Sequence, residues 1–240
     1  MDRFRVEVIS KTPNPQQTIY AAMHQDYAEA FVWDQRAEWP SEEKAGELVI
    51  RNLLKGGRGH YGPLEHPQIV LNCGFFPHST MQQIRTHRVG LSFDVQSFRY
   101  TGSRIIDVVD GKTDVEDVFY LRPLGAYTDR QGKKYEYTAE LRQQDLEWCI
   151  QGCKRYKTRI DQGFSEEHAR GLIPFDVRQH WVLSANARSL MHLLDLRWKA
   201  DAQLEAQKLC EAIWPQFQAW VPAIASWYED NRLKKARLSP

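Results

Sequence analysis

No stretch of this chain is apolar for the length a membrane-spanning helix needs, and its opening Met-Asp-Arg-Phe-Arg lacks the apolar core of a signal peptide. The sequence-based expectation is a cytoplasmic protein with no membrane partner. A dominant charge is missing as well. Thirty-two Lys and Arg face 31 Asp and Glu, a formal net charge of +1, so the chain lacks the broad basic footprint of a nucleic-acid-binding protein, and no nucleic-acid partner is expected. Its four cysteines, Cys73, Cys149, Cys153 and Cys210, have none of the paired spacings of a zinc site, and a chain of 240 residues has core enough to do without disulfide staples. Reduced, packed thiols are expected. A glycine-rich nucleotide fold is absent too. Gly57-Arg58-Gly59-His60-Tyr61-Gly62 has the letters of a dinucleotide fingerprint, but a helical stretch leads in and Pro63 follows, whereas the fingerprint requires a strand before it and a helix after it. With no repeat, low-complexity segment or linker, residues 1–240 read as one domain.

What the chain does have is a dense cationic stretch. Gln82-Gln83-Ile84-Arg85-Thr86-His87-Arg88 continues through Ser92 to Gln96-Ser97-Phe98-Arg99-Tyr100. Arginine forks pair bidentately with phosphate or carboxylate and stay charged when buried, so the stretch points to an anionic, phosphate-bearing ligand. A solvated basic helix is the plain alternative. Large apolar residues on both sides argue against it, because they place the stretch at least half inside, where unpaired charge is costly.

Around this stretch the pattern is mixed. Phe4, Val6 and Val8 alternate as a half-buried strand; Gln16 to Phe31 reads as helix, and a second helix follows Ser41 and ends at Lys55-Gly56-Gly57. Gln68 to Phe76 reads as a buried strand, Pro77 onward as the helix carrying the cationic cluster, and Phe93 to Tyr100 as an extended segment. Asp107 to Glu116 reads as a loop, Val118 to Leu121 as a short strand, and Tyr127 to Tyr135 as a hairpin turned at Gly132. A long helix spans Thr138 to Gly163, Ser165 caps a short helix at Glu166 to Arg170, and Ala202 to Trp220 is helical with Pro215 expected to disturb it. Lys234 to Pro240 reads as a frayed tail. His60, Glu65 and His66 are the one group resembling metal ligands, but three candidates on a loop with no partner motif give no metal site.

A second informative stretch runs from Asn186 through Arg188 and His192 to Arg197, where Arg188 and His192 share a helical face and Leu190, Leu193 and Leu194 supply the apolar side. Together with Pro13-Asn14-Pro15-Gln16, His60 to His66 and Gln83 to Tyr100, this stretch, continued to Ala202-Gln203, resembles the flavin-dependent thymidylate synthase family, from the first helix almost to the C-terminus. Each block is weak alone; their order and spacing make the combination specific.

The resemblance implies a mixed α/β fold, a central twisted sheet with packed helices, in a homotetramer whose active sites lie between subunits. It implies reductive methylation of dUMP to dTMP, with methylenetetrahydrofolate as carbon donor and NADPH-reduced FAD as hydride source. Carried over position by position, His60, Gly62, Thr86, His87, Arg88, Gln96, Asn186, Arg188 and His192 fall at flavin positions. Gln83, Arg85, Gln96, Ser97, Arg99, Arg170 and Arg197 fall at dUMP positions, with Arg197 the catalytic cation that favours the ionised uracil ring. There are departures. Thr86 stands where the family has arginine, with Arg85 displaced by one; the segment from Arg88 to Ser97 is one residue longer than usual, so the position that often carries an acid or amide is Val95 or Gln96 depending on where the insertion falls, with Gln96 favoured because an amide can hydrogen-bond the nucleotide. His192 replaces an asparagine, and Gly62 stands where a hydroxyl is common. The rival readings are a related flavoenzyme that modifies a pyrimidine nucleotide differently, and a non-catalytic nucleotide- or RNA-binding protein that kept the pocket.

Overall fold

The computed structural model describes residues 3–56, 60–129 and 131–235. Gly57, Arg58 and Gly59 of the glycine-bearing loop, Arg130 of the expected hairpin and residues 236–240 of the expected tail lie outside the described residues. In chain order the elements are β1 (Arg5–Lys11), α1 (Pro15–Gln25), a 3-10 stretch (Val32–Glu38), α2 (Glu42–Val49) with a π-helical continuation (Ile50–Leu54), a 3-10 turn (Gly62–Glu65), β2 (Gln68–Pro77) and α3 (His78–Ile84). There follow β3 (Leu91–Val95), α4 (Phe98–Thr101), α5 (Ser103–Val109), α6 (Val115–Val118), β4 (Gly125–Thr128), β5 (Lys134–Tyr137), α7 (Ala139–Asp161) and α8 (Glu166–Ala169). A 3-10 turn (Arg170–Leu172), β6 (Arg178–Asn186), α9 (Ala187–Arg197), α10 (Leu204–Trp220) and α11 (Pro222–Asn231) complete the chain. Among the described residues the strands form a four-stranded sheet in the order β1-β2-β6-β3 and the two-stranded β4-β5 hairpin. This is the mixed α/β architecture expected. No helix among the described residues is long and apolar enough to cross a membrane.

The chain divides into two compact units, each built from separate stretches. One comprises Gly74–Gln83 and Val95–Trp181 together with Arg3; the other comprises Phe4–Cys73, Ile84–Asp94 and the residues from Val182 on. The core of the first gathers Phe98, Ile105, Phe119, Cys149, Cys153, Tyr156 and Val177, all buried. Each large side chain there is worth about 1.5–3 kcal/mol of burial. Cys149 and Cys153 lie on one face of α7 as small packed groups, and burial pushes both thiols up to about 12. In the second unit the backbone amides of Gln16 and Gln17, at the open start of α1, both donate to the Glu42 carboxylate at 2.8 Å. The wholly buried Gln16 in turn accepts from the Ala223 amide at the start of α11 (2.9 Å). One glutamate and one glutamine therefore satisfy helix-terminal donors that would otherwise be orphaned.

Several boundaries depart from the sequence reading, each for a local reason. The cationic cluster is not one helix: α3 ends at Ile84, Arg85 and Thr86 form a turn, and His87 and Arg88 lie in the loop before β3. The extended segment stops at Val95, because Ser97 accepts from the Arg99 amide (3.4 Å) and starts α4, whose Phe98 enters the core. The acidic stretch 107–116 is partly helical. Asp114 accepts from the Glu116 amide at 2.7 Å and initiates α6, which takes Val118 and leaves only a single bridge, Phe119 to Val177, of the expected strand. The first helix ends at Gln25 rather than Phe31 and gives way to the 3-10 stretch. Pro215 sits inside an α10 that runs on through it. Strand β6 has no counterpart in the sequence reading.

Candidate active site

In the second unit, one loop and one helix are locked together. Asn186, at the end of β6, accepts the Ser189 amide through its side-chain oxygen (2.8 Å) and so caps α9. The loop before β3 is pressed against this cap at Gly90, which has φ +66°. A Cβ there would lie 2.1 Å from Ser189 Oγ and 2.4 Å from Asn186 Nδ2, so only glycine fits. That fixes the loop residues His87 and Arg88 relative to the face of α9 that bears His192.

Three of the expected residues meet as a result. The His87 and His192 rings stand edge to face, 5.7 Å between centroids. Arg197, at the last turn of α9, donates its Nε–H to His87 Nε2 at 2.8 Å. An arginine has no lone pair to offer, so His87 must accept at Nε2 and carry its proton, when neutral, on Nδ1. Burial first, and then the nearby charges of Arg197 and His192, lower the His87 pKa to about 4. The ring is therefore a neutral acceptor at physiological pH, with its tautomer set by Arg197. His192 Nδ1 is buried and finds no hydrogen-bond partner among the described residues. Arg85 and Arg88 are exposed and make no polar contact among the described residues.

Others in this unit hold carboxylates. Arg188 donates to Glu65 at 2.6 Å and stands 6.0 Å over the Tyr61 ring, and His60 contacts Asp26 at 2.7 Å. Gly62 opens the 3-10 turn, with none of the described residues within 4 Å of where a Cβ would be. Thr86 lies exposed in the turn after α3. Asp26 was not visible as a site neighbour in the sequence, since the contact spans 34 positions and no local pattern marks it.

The first unit carries most of the positions matched to the nucleotide. Gln83 is half-buried near the end of α3, and Gln96 and Ser97 form the corner between β3 and α4. The Gln96 amide donates to the His180 carbonyl at 3.0 Å, whereas its side-chain oxygen is buried without a partner. Arg99 is paired with Glu167 at 3.1 Å, both about half exposed, and Arg170 is exposed just past α8, the helix that bears Glu167. Among the described residues no group of three His, Cys, Asp or Glu side chains could hold a metal ion.

The geometry fits a phosphate-bearing ligand set better than a hydrolytic one: fixed cations, a neutral histidine acceptor and orphaned buried polar atoms. Solved structures share the fold. A UMP/dUMP methylase PolB from Streptomyces cacaoi bound with 5-Br dUMP superposes with a TM-score of 0.75 at 20% identity, covering 100% of this chain and 98% of that one. A thymidylate synthase X from Helicobacter pylori with FAD and dUMP gives 0.67 at 19% identity, covering 91% and 96%. At the level of sequence, the family described as thymidylate synthase complementing protein matches residues 7–223. Flavin-dependent thymidylate synthases of Haloarcula marismortui and Halobacterium salinarum are 32% and 30% identical, each over 98% of this chain and covering 99% and 100% of their own lengths. The chain belongs to the flavin-dependent thymidylate synthase family.

Proposed function

We propose that this enzyme, a flavin-dependent thymidylate synthase by family, converts dUMP to dTMP with FAD as resident cofactor, NADPH as reductant and methylenetetrahydrofolate as carbon donor. It does so in the cytoplasm, as a homotetramer with active sites between subunits and residues 1–240 acting as one functional domain. The match over residues 7–223 runs through both units, which supports that last point. The carrying observation is the Arg197–His87 pair with His192 beside it.

The residues present fit a flavin. Among the described residues His192 offers a buried Nδ1 with no hydrogen-bond partner and Arg88 an exposed guanidinium with no pairing, free for phosphate, while Arg188 and His60 are donors held close by carboxylates. When bound, FAD supplies the hydride chemistry, which no side chain of this enzyme needs to provide.

The protein's own work is positioning and charge. Arg197 uses Nε to grip His87 and makes no other hydrogen bond among the described residues, which leaves its two terminal nitrogens for the substrate. A guanidinium stays protonated even where burial lowers its pKa, so Arg197 acts as a fixed cation that stabilises negative charge developing on the uracil ring. His87, neutral and of defined tautomer, keeps that cation from swinging. Gln96, Ser97, Arg99, Arg170, Gln83 and Arg85 hold the nucleotide, and Gly62 and Thr86 contribute to the flavin side.

The test is an absorbance spectrum of the protein with FAD, followed by anaerobic NADPH with and without dUMP. Flavin bleaching that depends on dUMP, or is accelerated by it, is the expected result. A protein that binds no flavin and shows no bleaching contradicts the proposal.

A further inference from the structure

Arg104, on α5 of the first unit, is a cation with an unmatched edge. Its Nε and Nη2 atoms are both buried, and both lack an acceptor among the described residues. These two nitrogens form the side-on fork of a guanidinium, the edge that engages two oxygens of one phosphate or carboxylate. No carboxylate pairs with it among the described residues. The guanidinium carbon lies 4.9 Å from the centroid of the Phe98 ring, which fixes the plane of the fork without supplying an acceptor. Its charge reaches His180, whose carbonyl takes the Gln96 amide at 3.0 Å, and the Gln96 side-chain oxygen is itself buried and unpartnered. A buried fork with no anion is costly for the protein alone, and an arriving oxyanion relieves that cost.

We infer that Arg104 is a further nucleotide-binding residue, its Nε/Nη2 fork receiving the 5′-monophosphate of the pyrimidine nucleotide beside Gln96. The inference rests on the proposed dUMP reading. Nothing in the resemblance to the family pointed to this position: in the sequence, Arg104 sits beyond the Gln83–Tyr100 block, inside what reads as the approach to a loop. A phosphate rather than the uracil ring is the ligand group, because the fork offers two parallel donors and no acceptor. The ring has two carbonyls, but they lie on either side of an N–H and require an acceptor between the donors.

The experiment titrates the full-length protein, loaded with FAD, with dUMP, with deoxyuridine and with inorganic phosphate, in wild type, Arg104→Lys and Arg104→Gln. Lysine keeps the charge and loses the fork. The expected result is a dUMP Kd raised roughly ten- to hundredfold in both variants, the scale of a charged hydrogen bond, with deoxyuridine affinity unchanged and phosphate competing less well. An unchanged dUMP Kd overturns the inference, as does an equal loss for deoxyuridine or an effect confined to subunit association. Should neither variant fold, arginine Nε–H signals of the 15N-labelled wild type carry the test. Adding dUMP, and not deoxyuridine, should slow exchange of the Arg104 Nε–H, and no change overturns the inference. Wild type that binds no dUMP defeats the underlying reading, whereas dUMP binding that depends on Arg99 and not on Arg104 defeats this inference alone.

Discussion

Replacing Arg197 by glutamine should change the titration of His87 in a defined way. In the wild type His87 is held neutral to about pH 4, against an ordinary value of 6.5, first by burial, next by Arg197 and then by His192. Protonating the ring in place would abolish its acceptor and set it against a guanidinium 2.8 Å away, which costs on the order of 2 kcal/mol once solvent screening of a half-buried ring is allowed for. Removing the Arg197 charge removes the second cause and leaves the largest, burial, so the pKa should rise without reaching 6.5. The sign for stability follows. A histidine whose folded pKa is depressed contributes stability that is whole above the unfolded value of 6.5 and is lost as pH falls through about 4. In Arg197→Gln that acid loss should still begin as pH falls below 6.5 but be complete at a higher pH than in the wild type, and so be smaller. Long-range 1H–15N spectra of the histidine rings against pH read both the pKa and the tautomer. Wild-type His87 titrating near 6.5, or carrying its proton on Nε2, would refute the reasoning.

Gly90→Ala should cost at least about 2 kcal/mol in chemical denaturation, because an L residue is strained at φ +66° and its Cβ meets Ser189 Oγ at 2.1 Å; a neutral substitution would mean that the loop is not pinned to α9. Asp195, with a wholly buried carboxylate, accepts from Arg232 at 2.6 Å and Tyr228 at 3.1 Å, tying α11 to α9. Asp195→Ala should lower stability by roughly 3–5 kcal/mol by removing the buried carboxylate that Arg232 and Tyr228 both donate to, and a loss below about 1 kcal/mol in the same assay contradicts that role. Arg99→Ala should weaken dUMP binding by about 1.5–3 kcal/mol in calorimetry, and an unchanged Kd removes Arg99 from the nucleotide site.

The long or strongly patterned elements were legible in the sequence. α7 runs Ala139–Asp161 with Thr138 as its cap, and the β4-β5 hairpin pairs Tyr127 with Tyr135 as its turn signal implied. The short helix α8, capped by Ser165, was legible too, but α4 and α6 were not. α4 and α6 depend on single side chains, Ser97 and Asp114, in stretches whose composition suits strand or loop equally well. β6 escaped because it opens on Arg178, Gln179 and His180, polar residues that the fold buries wholly or in part but whose types do not signal a strand. Of the candidate site, the residue types were readable, and so was the pairing of Arg188 with His192 on one helix face. The contacts that define their states were not: Arg197 reaches His87 across 110 positions, and Glu65 reaches Arg188 across 123. Nor does any local pattern mark Arg104, whose fork finds no acceptor among the described residues.

The most direct measurement is the identity of the product. The FAD-loaded enzyme is incubated with dUMP, NADPH and methylenetetrahydrofolate labelled at its methylene carbon, and the nucleotide is resolved by mass spectrometry. Labelled dTMP formed at a rate that collapses in Arg197→Lys, with the protein still folded, is the predicted outcome. A hydroxymethylated nucleotide, unlabelled dTMP or recovered dUMP would contradict the account.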